Sequence, residues 1–202
     1  MDRADAVPAV DETRPHGPDP LPRTAFADRV DAWVLRIGEA ASWLWLALLV
    51  VIVANVVLRY LFGEGRVELE ELQWHLYAVG FLAALALAVT TDDHVRVDVV
   101  HERLSPRRRA WIELYGTVLL LYPFLALVLV YAGPFVAAAW RTDEVSQAPG
   151  GLPLRWAIKA VLPAAFALIA LAATARLSRV TALLFGWPAP RPPRPDDRAG
   201  AD

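Results

Sequence analysis

The feature that most constrains the fold of this chain is an apolar run of about twenty residues between two flanks of opposite character. The run follows the acidic segment Glu68–Glu71, ends at Asp92, Asp93 and His94, and leads into an arginine-rich loop. A helix in a soluble core does not need so long an apolar stretch between such flanks. The run therefore predicts a membrane-spanning helix whose acidic and basic flanks lie on opposite sides of a bilayer.

The composition agrees with a membrane protein. Hydrophobic residues make up 56% of the 202 residues, yet 21% are charged. A soluble domain rarely combines these values, whereas a polytopic protein confines its charges to loops and tails. The chain contains no cysteine, which excludes disulfides, thiolate metal sites and cysteine nucleophiles.

Four apolar segments reach the length of about 20 residues that a hydrocarbon core of about 30 Å requires. The sequence therefore predicts an all-α integral membrane protein with a four-helix membrane domain over residues 26–180. The polar segments 1–25 and 181–202 are predicted to be disordered cytoplasmic tails. The four spans are predicted at about residues 41–62, 72–91, 111–132 and 154–176.

The distribution of arginine predicts the orientation of the spans. Five arginines each lie in the N-terminal segment, in the loop between spans two and three, and in the C-terminal segment. The other two loops share Arg59, Arg66, Arg141, Arg155 and Lys159. Because basic loops stay in the cytoplasm, both termini are predicted to be cytoplasmic, and an even number of spans gives the same result.

Three segments next to the spans have their own patterns. Apolar residues at helical spacing over residues 26–37 indicate an amphipathic helix on the inner membrane surface or an ordinary start to span one. Alternation over residues 67–74 favours a short interfacial helix before span two. The third apolar segment holds Pro123 and Pro134, so it kinks, tilts, or ends near Tyr131 with an interfacial extension.

A basic cluster opens the third span. Ser105 and Pro106 fit an N-cap followed by proline at the first helical position. Arg107, Arg108 and Arg109 follow in the first turn, where the helix dipole disfavours positive charge. Anionic lipid headgroups offset this cost by about 1 kcal/mol per basic residue. The cluster thus predicts lipid contact, with no nucleic acid involved.

Polar and small residues inside the spans mark helix contacts. Asn55 in span one is predicted to bond to a neighbouring helix. Lys159 in span four is predicted either to reach the headgroups or to pair with Glu70 or Glu71. Small residues recur every fourth position in span two, and we expect them to form a ridge that faces a helix partner. The ridge consists of Gly80, Ala84 and Ala88.

The sequence offers no candidate catalytic, metal or cofactor site. His75 and His94 flank span two, but they are separated by roughly 28 Å along one helix. Haem ligation by two histidines requires two imidazoles at one depth. No phosphate-binding glycine loop is present, and no serine–histidine or paired-aspartate arrangement lies inside a span. We therefore expect a protein that is not an enzyme and that binds no cofactor.

Three short motifs, in this order within four spans, carry a family resemblance. The first closes span one with Asn55 and Arg59, and the second opens span two with Glu70 and Glu71. The third follows span two and precedes a Leu-Ser-Pro-Arg start to span three; its residues are His94, Arg96 and Asp98. The arrangement over about residues 28–180 resembles the small membrane subunit of tripartite ATP-independent periplasmic (TRAP) transporters.

The resemblance implies a role in a bacterial inner membrane. A periplasmic solute-binding protein delivers an organic acid, and a large permease subunit moves it inward, coupled to sodium or another ion gradient. The small subunit supports the large one and helps to form the surface on which the binding protein docks. The third motif is hypothesised to fix how span two meets span three. The alternatives are a membrane anchor for a haem or redox enzyme and a scaffold without a transport partner.

Overall fold

The computed structural model describes residues 21–91 and 104–191, and its regular elements there are helices. Four continuous helical rods are long and apolar enough to cross a membrane, so the predicted all-α fold with four spans is confirmed for the described residues. The helices are α1 (Ala25–Leu61), α2 (Val67–Thr91), α3 (Pro106–Gly116), α4 (Tyr122–Arg141) and α5 (Arg155–Phe185). A π-helical turn, Thr117–Leu121, joins α3 to α4 in one rod.

Helix α1 is longer than a membrane requires. Thr24 caps its start because the hydroxyl oxygen accepts the Ala27 N–H at 3.2 Å. Its 37 residues extend over about 55 Å, against about 30 Å of hydrocarbon. The segment at residues 26–37 is therefore the continuous start of the helix that contains span one. Ala27, Val30 and Val34 on this segment are buried in the bundle, whereas Phe26 and Trp33 are exposed.

Helix α5 occupies the centre of the bundle, where it contacts α1, α2, α3 and α4. Its buried positions are mostly alanine, which lets neighbouring backbones approach closely in a lipid environment that supplies no hydrophobic effect. The buried residues of α5 are Ala165, Ile169, Ala172, Ala173, Ala175, Val180 and Ala182. One apolar cluster joins part of this face to Val34 of α1, Ala86 of α2 and Leu125 of α4.

Pro123 explains the π-helical turn in the third rod. A proline ring lacks an N–H and collides with the carbonyl four residues earlier, which disrupts regular α-helix. The helical turn holds one extra residue instead, and the Tyr122 N–H donates to the Thr117 carbonyl five residues earlier. The Tyr122 hydroxyl lies 2.9 Å from the Thr174 hydroxyl on α5. The helix continues past Pro134 to Arg141, and the end of the span itself near Tyr131 stays a prediction.

Both ends of the described chain meet at what we call the tail end, which holds the start of α1, the start of α3 and the end of α5. Helix α5 continues past residue 180 to Phe185 and stops at Gly186, whose left-handed φ of 71° suits glycine. The Arg191 N–H then donates to the Arg23 carbonyl at 2.8 Å. The two tails therefore leave the bundle at adjacent points.

Half-buried polar contacts hold the helices together at the tail end. Asp31 of α1 pairs with Arg179 of α5, and Glu113 of α3 pairs with Arg176 of α5. The Thr24 and Ser178 hydroxyls lie 2.8 Å apart. These contacts link three rods through α5, which again makes α5 the common partner.

We expect Ala172→Leu to destabilise the subunit by about 1–3 kcal/mol, because the extra atoms overpack the buried face of α5. Ala167→Leu, the same change on an exposed face of the same helix, should change stability little. The measurement is unfolding of the purified subunit in detergent micelles. Equal effects from the two substitutions would contradict the central position of α5.

Candidate functional site

Four residues of the sequence motifs lie at the loop end of the bundle. We define this end by the short loop at residues 62–66 and the long loop at residues 142–154. The four are Asn55, Arg59, Glu70 and Glu71. Arg59 and Glu70 form an exposed ion pair between α1 and α2. Glu71 contacts the long loop instead, so the two neighbouring carboxylates hold different parts of the chain.

The Glu71 carboxylate binds the long loop with both of its oxygens. The Ser146 hydroxyl donates to Oε1, and the Leu152 N–H donates to Oε2 at 2.6 Å. We call these three residues the Glu71 clasp. Hydrogen bonds to an ionised carboxylate are roughly twice as strong as those between neutral groups. The clasp therefore fixes the long loop, which joins α4 to α5, onto the first turns of α2.

The middle of the long loop is a tight turn that depends on small residues. The Ser146 N–H donates to the Leu152 carbonyl at 3.2 Å, and the Gly151 N–H donates to the Ala148 carbonyl at 2.9 Å. A Cβ at Gly151 would overlap the side chains of Ser146 and Glu71. Glycine at this position is therefore what lets the loop approach the carboxylate.

The two ends of the long loop have strained backbones. Asp143 has a φ of 43° and Leu154 a φ of 62°, both in the left-handed region. Such a conformation costs a residue other than glycine about 1–2 kcal/mol. Hydrogen bonds from the Glu144 N–H to the Ala139 carbonyl at 3.0 Å and from the Arg155 N–H to the Glu144 carbonyl at 3.1 Å hold these ends in place. The loop thus has one imposed shape.

Glu144 pairs with two basic residues at the start of α5. Its carboxylate pairs with Lys159 and lies 3.7 Å from the Arg155 Nε. The Lys159 ammonium also lies 4.2 Å from the centre of the Phe135 ring, a cation–π distance. The sequence alternative in which Lys159 pairs with Glu70 or Glu71 is wrong, because Glu144 takes that position.

Asn55 is 8% exposed, and its Oδ1 has no hydrogen-bond partner within the described parts of the chain. The Nε2 of Gln73 in α2 is likewise buried without a described partner. An unpaired buried polar atom costs about 1–3 kcal/mol. The hydrogen bond that the sequence predicts between Asn55 and a neighbouring helix therefore stays a prediction for the Asn55 Oδ1.

The remaining predicted residues lie away from the loop end. Gly80 packs against Trp45 of α1, because a Cβ there would lie 3.3 Å from the indole ring. At that position the ridge faces the same chain, whereas Ala84 is exposed and Ala88 is half-buried. The third motif falls outside the described residues, and this applies to His94, Arg96 and Asp98.

The basic cluster opens α3 at the tail end. Ser105 has extended N-cap geometry and Pro106 follows at the first helical position, but the Ser105 side chain makes no capping hydrogen bond. Arg109 Nε donates to the Leu104 carbonyl at 3.0 Å. Arg107 and Arg108 are exposed, and their contact with lipid headgroups stays a prediction.

Sequence reasoning missed the partners that complete both ends. Ser146 and Leu152 were not recognised as the partners of Glu71, and Glu144 was not recognised as the partner of Lys159. The tail-end ion pairs were missed as well. Charged residues such as Glu113 and Arg176 next to long apolar runs were the available signal, since charges near the membrane require partners.

The fold defines a polytopic helical membrane protein with four helices long and apolar enough to cross a membrane. A family model described as "Tripartite ATP-independent periplasmic transporters, DctQ component" matches residues 48–183, more than half of the chain. The chain belongs to this family, whose members are small subunits of TRAP transporters. Comparison with curated proteins and with solved structures found no match.

A double-mutant cycle on Lys159→Met and Glu144→Gln should give a coupling energy of about 1–2 kcal/mol, because both groups are partly withdrawn from water. The more exposed pair Arg66 and Glu64 is the matched control, with an expected coupling below about 0.5 kcal/mol. Unfolding of the purified subunit in detergent gives both values. Equal coupling in the two pairs would show that Glu144 adds no more than a surface contact.

Proposed function

We propose that this chain is the non-catalytic small membrane subunit of a TRAP transporter in a bacterial inner membrane. It supports a large permease subunit, which takes up an organic acid by an ion gradient after delivery by a periplasmic solute-binding protein. The observation that carries the proposal is the family match over residues 48–183. The family match does not support the alternative function, in which the chain is a membrane anchor for a redox enzyme.

The helices favour a supporting role over a solute pathway. Secondary transporters build midplane sites from broken helices whose ends face the substrate. Here α1, α2 and α5 run without interruption, and the third rod only widens at its π-helical turn. A groove of about 580 Å³ lies between α4 and α5 near Trp140 and Trp156, and its lining is mainly apolar, with Arg141 as its charged residue.

A large partner would account for the apolar surface of the bundle. Trp43, Leu46, Val50 and Val53 are exposed along α1. Lipid covers such residues in a membrane, and a second membrane protein covers them equally well without a hydrophobic driving force. Within the complex, the tail end faces the cytoplasm and the loop end faces the periplasm, because arginine is concentrated at the former. The binding protein then docks near the short and long loops.

Single cysteines test the orientation cleanly, because the chain contains none of its own. Gln147 in the long loop and Ser105 before α3 are both exposed. We expect a membrane-impermeant maleimide to label Gln147→Cys from the periplasm and Ser105→Cys only after the inner membrane is opened. Labelling of both from the same side would contradict the four-span orientation.

Reconstitution tests the subunit role. We expect liposomes holding both membrane subunits to take up solute in the presence of the binding protein and an ion gradient. Liposomes with the small subunit alone should show none, since it offers no solute pathway. Full uptake by the large subunit alone, or any uptake by the small subunit alone, would refute the proposal.

A further inference from the structure

The rest of the described chain leaves two apolar side chains of the long loop uncovered. Val145 is 58% exposed and Leu154 is 59% exposed. The backbone hydrogen bond between Glu144 and Arg155 lies directly beside them in the sequence, so the two side chains extend from neighbouring points. Two apolar side chains at neighbouring points of a fixed loop form a small surface that a partner can cover.

We propose that Glu71 is a positioning residue for docking: its clasp holds the long loop in the one shape that presents Val145 and Leu154 to the solute-binding protein. This inference rests on the proposed function, because it assumes that the binding protein docks at the loop end. Glu71 itself lies beneath the loop and is joined to Ser146 and Leu152. It therefore acts through the loop rather than by direct contact with the partner.

The energetic argument concerns the ordering of the loop. A surface that is already ordered binds more tightly, because association does not have to restrict its backbone and side chains. The long loop has two strained left-handed residues, Asp143 and Leu154. Backbone hydrogen bonds hold those two ends, so the middle of the loop is the part that needs a further contact. The carboxylate supplies that contact with two acceptor oxygens, one for each donor of the loop.

The charge around the two exposed residues indicates the kind of partner. Glu144 lies next to Val145, and its charge is balanced by Lys159 and Arg155. An apolar pair beside balanced charges fits a protein surface with an apolar centre and a polar rim. In the proposed orientation, the binding protein is the water-soluble partner that reaches this side of the membrane.

Glu71→Gln in the reconstituted complex of both subunits tests the proposal. The neutral carboxamide can still accept the Leu152 N–H and donate its NH₂ to the Ser146 hydroxyl, but both hydrogen bonds lose the charge of the carboxylate that strengthens them. We expect the concentration of binding protein at half-maximal uptake to rise about tenfold, or about 1.4 kcal/mol. The maximal rate should stay unchanged. Glu70→Gln removes the same charge from the adjacent position without touching the clasp, so the difference between the two variants isolates the clasp.

Hydrogen exchange of the complex without binding protein provides the independent readout. The amides of Ser146 and Leu152 should exchange faster in Glu71→Gln and at the original rate in Glu70→Gln. Val145→Ser should raise the half-saturating concentration while exchange stays slow, because it changes the docking surface and leaves the clasp intact. Ser146→Ala removes one donor and should give a smaller effect of the same kind as Glu71→Gln.

The outcomes separate this inference from the proposed function. A faster-exchanging loop with an unchanged half-saturating concentration would overturn the docking role of Glu71, while dependence on both subunits would remain. A lower maximal rate at unchanged half-saturation would assign the long loop to the large permease subunit instead, and would also overturn the inference. If Glu71→Gln fails to assemble, Ser146→Ala decides by the same two measurements.

Failure of the unmodified complex to take up solute would count against the proposed function. Unchanged hydrogen exchange in Glu71→Gln would refute the clasp even in that case.

Discussion

The structure depends on close packing of small residues around one central helix. In lipid, the backbone polar groups of each span are satisfied within its own helix, and no hydrophobic effect draws the helices together. Association then rests on how closely the backbones approach. Helix α5 meets this requirement with a buried face made mostly of alanine, and it contacts every other helix of the bundle. The alanine face lets the helices approach closely, and the polar contacts at both ends then fix their relative positions.

The four spans could be predicted from the sequence because the length of an apolar run reports directly on the thickness of the membrane. The partners of charged residues could not be predicted in the same way. Glu71 meets Ser146 and Leu152 because α2 and α5 are neighbours, and helix order is a property of the packed bundle. The same reason explains why Lys159 pairs with Glu144. Pro123 predicted a disturbance, but only the backbone hydrogen bonds identify it as a π-helical turn.

The two ends of the bundle are fixed by different chemistry. At the tail end, ion pairs such as Asp31 with Arg179 join rods through their side chains. At the loop end, ion pairs such as Arg59 with Glu70 are present too, but the Glu71 carboxylate also binds a loop partly through its backbone. The first arrangement fixes the relative positions of helices, and the second fixes the shape of a connecting segment. The proposed support of a larger partner draws on the first arrangement, and the proposed docking surface draws on the second.

The backbone contact between Arg23 and Arg191 has a consequence for the order of the spans in the gene. Because the chain enters and leaves the bundle at one place, a short linker could join its two ends without moving a helix. New ends could then be opened between Thr91 and Leu104, on the same side of the membrane. The resulting protein would insert α3, α4 and α5 before α1 and α2. The packing is therefore compatible with circular permutation, and helix order along the chain is separable from helix order in space.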